Sequence, residues 1–252
     1  MSSERIVLSQ EMLAETPMGD RWSEAELSEA ATLLSNAEGR FPAGVRTLAP
    51  ELVSELQRER LLAAMLVTAS ELGYRALTVQ DVLARAGVSR PTFYEHFADK
   101  AECFLVAFDS AAQRLRDRLE GAAREAGGQW RDRLRGGLGA LLQFVADEPD
   151  AARALIVEAR ASSAAGLRRR DELLDSLASC VDATAREGLE EPPSAIAAAG
   201  VVGGIESVLY ARIQKGETDD LESLLPSLMY FVVLPYEGHA AAARELSGAA
   251  PA

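Results

Sequence analysis

Leu77-Thr78-Val79-Gln80-Asp81-Val82-Leu83-Ala84-Arg85-Ala86-Gly87-Val88-Ser89-Arg90-Pro91-Thr92-Phe93-Tyr94-Glu95-His96-Phe97-Ala98-Asp99-Lys100 is the stretch whose reading decides the fold. Thr78 followed three residues later by Asp81 has the form of a capping box, so a helix starts there. Val79, Val82 and Leu83 then face inward, and Gly87 ends the helix. Ala84 to Ser89 is a tight turn: Gly87 permits the bend, Val88 plugs the core and Ser89 caps a second helix. Phe93 and Phe97, four apart, share the buried face of that second helix. Pro91 falls in its first turn, where an N–H would have no intrahelical partner. Two short helices joined by a glycine-containing turn make a helix-turn-helix.

The outward positions of the second helix are Arg90, Thr92, Tyr94 and His96, a donor-rich set near a helix N-terminus, which favours anions. Arginine suits guanine edges, and the hydroxyls suit phosphates. Asp99 caps a further helix that carries Lys100 in its first turn, against the helix dipole. A phosphate nearby removes that penalty. This stretch resembles the DNA-binding signature of the TetR repressor family, and the resemblance runs over about 50 residues, from Arg58 to Phe108. It implies that Arg90, Pro91, Tyr94 and His96 face bases in the major groove. It also implies that Thr78, Thr92, Tyr94 and Lys100 hold phosphates. Glu95 stands where the family varies, and it either accepts from a cytosine amino group or repels phosphate.

Upstream, an amphipathic helix is expected from Glu51 to Leu72, with Leu62, Met65, Leu66, Ala69 and Leu72 on one face and Gly73 at its end. Before it, Ser23 and Glu26 have capping-box spacing for a helix over Ser23 to Ala37, and Gly39 to Arg46 forms an irregular linker. About 50 residues thus precede the motif, whereas the family's domain starts close to the chain's beginning. Arg40 and Arg46 are placed to reach a minor groove as homeodomain arms do, or simply to solvate the linker.

Downstream, helices are expected over Lys100–Glu125, Trp130–Asp147, Pro149–Ser162, Gly166–Glu187, Pro193–Lys215 and Thr218–Leu234, with Pro and Gly at the joints. The fold class is therefore all-α. It comprises a three-helix DNA-binding domain over 51–105, a helical bundle over 106–238, an extension over 1–50 and a tail over 239–252. The small residues of Ala195 to Ile205 allow close helix approach, and the last helix is apolar around most of its circumference. By the resemblance, these two helices (193–236) form a four-helix homodimer interface, and a two-fold pair reads a palindromic operator. The middle helices would enclose an effector pocket, with Phe104, Phe108, Trp130, Phe144 and Tyr210 as walls and Arg153, Glu158 or Arg160 as polar anchors. The implied function is a repressor released by a small molecule. Repressor and activator are not separated by sequence, since the sign depends on where the operator lies.

Composition fits this frame. Of the 252 residues 48% are hydrophobic and 26% charged, a globular profile. The net charge of −13 is unevenly spread, with −6 on residues 1–39, +1 on 40–118 and −8 on 119–252. The motif lies in the least acidic segment, which is what local phosphate contacts require. Lysine occurs only at 100 and 215, against 24 arginines. Cys103, Cys180, His96 and His239 form no metal-ligand spacing, so no metal or cofactor is expected. No GxSxG, P-loop or GxGxxG is present, and the chain reads as a non-enzyme. With no apolar run near the roughly 20 residues that cross a bilayer and no secretory leader, the cytoplasm is expected. Two other readings remain: catalysis, and a regulator answering to a protein partner through residues 1–39.

Overall fold

The computed structural model describes residues 22, 23, 25, 26, 28, 49–187, 189, 193, 194 and 196–247. Regular structure among them is entirely helical. They divide into two compact units, one reaching Ser110 and including Ala161–Ser163, the other comprising Ala111–Arg160 and Ala164 onward. The parting at Ser110/Ala111 falls inside one continuous helix, later than the 105/106 boundary read from sequence, because no Gly or Pro marks it.

In the first unit, α1 (Pro50–Leu72) starts on a proline and ends at Gly73, whose φ of 78° an L side chain rarely adopts. Its inner face is Leu52, Leu56, Leu61, Leu62, Met65, Leu66 and Ala69, all buried, while Leu72 is turned outward at 49% exposure. α2 (Val79–Ala86) carries the expected box: the Thr78 hydroxyl accepts from the Asp81 amide, and the Asp81 carboxylate accepts from the Thr78 amide at 2.8 Å. Gly87 closes α2 in the left-handed region, and Ser89 Oγ accepts from the Thr92 amide at 3.2 Å to start α3 (Arg90–His96). α4 (Lys100–Ala126) follows, with the Asp99 carboxylate accepting from the Glu102 amide at 2.9 Å. Phe93, Phe97, Phe104 and Phe108 are all buried, and Phe104 packs on Tyr74 with ring centroids 4.7 Å apart.

The second unit is a bundle of the rest of α4 with five more helices. α5 (Trp130–Asp147) follows a short Gly127-Gly128 turn with positive φ at both residues. Gly136 lets α5 approach α4 closely, since a Cβ there would lie 2.8 Å from the Ala122 carbonyl oxygen. α6 (149–161) begins at Pro149 and contains a π turn over Ala154–Glu158, one extra residue within the helix. α7 (Ala164–Arg186) and α8 (Ile196–Lys215) pack together, and α9 (Leu225–Leu246) packs on α5 and α8.

Three expectations are corrected here. The last helix does not span Thr218–Leu234: a 3₁₀ turn (Glu222–Leu224) precedes α9, which passes Pro235 and a kink at Gly238 (φ 79°) to reach Leu246. Much of the expected 239–252 tail is therefore helical, anchored by the buried Glu245, which pairs with Arg135. α8 is, by length and composition, apolar enough to cross a membrane. Counting uninterrupted apolar runs missed it because Glu206 interrupts its middle. Upstream, Ser23 and Glu26 do form the capping pair, with the Ser23 amide donating to the Glu26 carboxylate at 2.9 Å. Most of the expected helix beyond it, with Arg40 and Arg46, lies outside the described residues.

Candidate nucleic-acid interface and internal cavity

The α2–α3 pair holds its outer face by locking its inner one. Phe93 and Phe97 fix the roll of α3, so Arg90, Pro91, Tyr94 and Glu95 are left exposed. Tyr94 is 49% exposed, lies edge-on to Phe93 (5.3 Å) and has the Arg90 guanidinium 5.9 Å from its ring centre. That i, i+4 pairing presents a cation and a phenol side by side at the helix start. Thr92 is half-buried, with its hydroxyl 2.8 Å from Ser89 Oγ, and the Thr78 hydroxyl also donates to Asp81 at 2.7 Å.

Two of the sequence-derived contacts sit differently from the simple outward picture. His96 is half-buried against Phe97, and its Nε2 is shielded from solvent with no hydrogen-bond partner among the described residues. Burial, then the Arg58 charge, push its pKa below the ordinary 6.5 against the opposing pull of Glu95, so the ring is neutral at pH 7. Lys100 donates to the carbonyls of Tyr74 (3.1 Å) and Leu77 (2.9 Å) and lies 4.6 Å over the Tyr74 ring. Two of its three donors therefore fasten the loop before α2. Sequence spacing brings Lys100 near the motif but cannot show that carbonyls from residues more than twenty positions earlier converge on it.

The second unit encloses a cavity of about 420 Å³ between α4, α5, α6, α7 and α8, within the range of small-molecule pockets. Its walls are mostly aliphatic, with leucine the commonest residue. At one end, Glu206 on α8 is buried, accepting from Arg170 on α7 (2.9 and 3.3 Å) and Arg160 on α6 (2.6 Å). A buried carboxylate needs such charged donors. Leu155 and Ile156 reach the wall from the π turn.

Of the expected pocket residues, only Phe144 lines this cavity. Phe104 and Phe108 fill the core of the first unit. Trp130 packs on Tyr236 at 5.7 Å, Arg153 pairs with Glu158 at 3.4 Å, and Tyr210 lies 4.4 Å beneath the Arg160 guanidinium. Large aromatics at these positions fill cores or stack on neighbouring side chains instead of lining the cavity. The residues sequence reasoning missed include Arg116, Arg124, Arg133, Arg170, Thr184 and Glu206. Glu206 did leave a signal, as the one charged residue between Ala195 and Tyr210. Among the described residues no three His, Cys, Asp or Glu side chains gather as a metal cage.

Residues 61–107 match the family model described as bacterial regulatory proteins, tetR family, inside the Arg58–Phe108 stretch that carried the resemblance. This segment is a TetR-family DNA-binding domain. Among curated relatives, the HTH-type transcriptional activator FasR of Mycolicibacterium smegmatis is 29% identical over 47% of this chain and 54% of its own. The repressor KstR of the same organism is 34% identical over 50% of this chain and 65% of its own. The chain thus spans between half and two thirds of the length of these relatives. Of solved structures, the transcriptional regulator FadR from Bacillus subtilis in complex with stearoyl-CoA superposes with a TM-score of 0.63 at 20% identity, covering 71% of this chain and 98% of that one. A transcriptional regulator from Rhodococcus sp. Rha1 superposes at 0.60 with 27% identity, covering 71% and 95%. The FadR likeness speaks for the fold alone.

Proposed function

We propose that this chain is a homodimeric, sequence-specific DNA-binding transcription repressor of the TetR type whose operator affinity is lowered by a small molecule in the α4–α8 cavity. The observation that carries the reading is α3 itself, a capped recognition helix locked by Phe93 and Phe97 with Arg90, Pro91, Tyr94 and Glu95 free to meet base edges. Thr78, Thr92 and the remaining donor of Lys100 serve phosphates, which position the helix without reading sequence. Neutral His96 acts at the groove's edge as a hydrogen-bonding ring rather than as a charge. The relatives' names, one activator and one repressor, support regulation in either sense. FadR, a neighbour in fold, was crystallised with an effector-sized molecule, which supports reading the cavity as a ligand site.

Dimerisation rests on the open apolar faces of α8 and α9. Ile196 (77%), Val208 (39%), Phe231 (50%) and Leu234 (36%) are exposed. Gly204 sits beneath Phe231, where a Cβ would lie 2.9 Å from Cε1. Such a surface is the kind a second copy covers, and two copies place two α3 helices on a palindrome. Ligand then acts through a coupling free energy of typically 1–3 kcal/mol between cavity and DNA. The test is selection of duplexes from a random pool by the purified protein, followed by footprinting. A two-fold symmetric motif with half-sites about one helical turn apart is the expected result. A pool that converges on no motif overturns the proposal.

A further inference from the structure

We propose that the cavity takes an amphiphile with an unbranched aliphatic chain and an anionic head, the head held by Arg124, Arg133 and Thr184. This deepens the reading of the cavity as an effector site and rests on it. The shape comes from the helix register. Arg170 and Thr184, both on the lining, are fourteen residues apart on α7, about 21 Å at 1.5 Å per residue. The cavity is therefore a trough running along α7 rather than a round pocket.

Its wall between those ends is aliphatic. Leu119, Leu134, Leu138, Leu173, Leu174 and Leu177 line it, and Phe144 is its one aromatic. A wall of flexible leucines suits a methylene chain and offers little for a planar ring to stack on. The two ends differ. At the Arg170 end the charges are already satisfied, Glu206 being held by Arg170 and Arg160. At the other end, Arg124 and Arg133 reach the lining from either side of the short α4–α5 turn, with Thr184 from α7, and Arg133 pairs with Glu187 just past the end of α7. Here donors go unused. Arg124 is exposed and has no ion pair among the described residues, and Arg133, although one of its terminal nitrogens pairs with Glu187, has its Nε shielded from solvent without an acceptor.

Charge points the same way. The lining carries four arginines (116, 124, 133 and 170) against two carboxylates, Glu120 and Glu206, in a chain of net −13. A carboxylate or phosphate head gains from that field, whereas an ammonium would be repelled.

The experiment titrates palmitate, octanoate, hexadecanol, hexadecylamine and pyrenebutyrate into the full-length protein. Alkylation of Cys180, an exposed thiol on the lining, is followed in parallel. Cys103 is buried with its thiol pKa pushed up, so it stays silent. Palmitate should bind roughly tenfold or more tighter than hexadecanol, as one or two charge-assisted hydrogen bonds imply. Octanoate should be weaker than palmitate, and bound palmitate should slow Cys180 alkylation. In the Arg124→Gln, Arg133→Gln double variant the advantage of palmitate over hexadecanol should vanish while hexadecanol affinity stays; circular dichroism checks the fold, and either single variant serves if the double one unfolds. Equal binding of palmitate and hexadecanol, preference for hexadecylamine or pyrenebutyrate, or unprotected Cys180 would each overturn the proposal. Operator binding by the same preparation is scored separately. Retained operator binding without palmitate binding sinks the ligand class alone, and palmitate binding without any DNA preference sinks the regulator reading alone.

Discussion

Replacing Phe231 by alanine should split the dimer. The ring is 50% exposed on the α9 surface, with its inner edge resting over Gly204. An aromatic side chain of this kind buries about 150–250 Å² in all, so about 75–125 Å² of Phe231 remains for a partner to cover. At ~25 cal/mol per Å² that is about 2–3 kcal/mol for each copy. A two-fold interface contains the residue twice, which gives about 4–6 kcal/mol and weakens the dimer Kd by about a thousand- to twenty-thousandfold. Sedimentation equilibrium over a concentration series reads this directly. Wild type should be dimeric and Phe231→Ala monomeric at micromolar protein. Loss of the ring's packing on Gly204 will lower Tm somewhat, so circular dichroism must show that helix content is kept. A folded variant with an unchanged Kd would refute the placement of the interface on this face.

Other perturbations separate scaffold from reading face. Phe93→Ala empties a fully buried site and should cost about 3–5 kcal/mol, seen as a lowered melting transition of the first unit. Asp81→Ala removes the reciprocal half of the capping box and should cost about 1 kcal/mol by chemical denaturation, with no change in bundle stability. His96 gives a pH signature. Its folded pKa is lowered, so the unfolded chain binds the proton more readily, and stability present above pH 6.5 is lost on acidification. His96→Gln should flatten that slope in denaturation curves between neutral and mildly acid pH; an unchanged slope would remove His96 as its source.

Local signals were legible in the sequence because their physics is local. Thr78/Asp81, Gly87, Ser89 and Asp99 each act on backbone groups within four residues, and each occupies the expected cap or turn. Phe93 and Phe97 were legible because helical spacing alone assigns them to one face. What was not legible depended on neighbours far along the chain. Lys100 is bound by carbonyls twenty-three and twenty-six residues earlier. The cavity is set by how five helices pack, so the sequence put its walls at Trp130 and Tyr210 rather than at leucines and arginines. α9 outran its expected end because Pro235 and Gly238, usual stop signals, are absorbed by a kink that Glu245 and its arginine partner hold in place.

The central claim is that α3 reads DNA, and fluorescence anisotropy on the selected duplex tests it most directly. Wild type, Arg90→Ala and Tyr94→Ala would be titrated against that duplex and a scrambled one at fixed salt. Wild type should prefer the selected sequence, with a salt-sensitive affinity. Each variant should lose about 1–3 kcal/mol of that preference with the melting transition unmoved. Wild-type preference retained in both folded variants would contradict the claim.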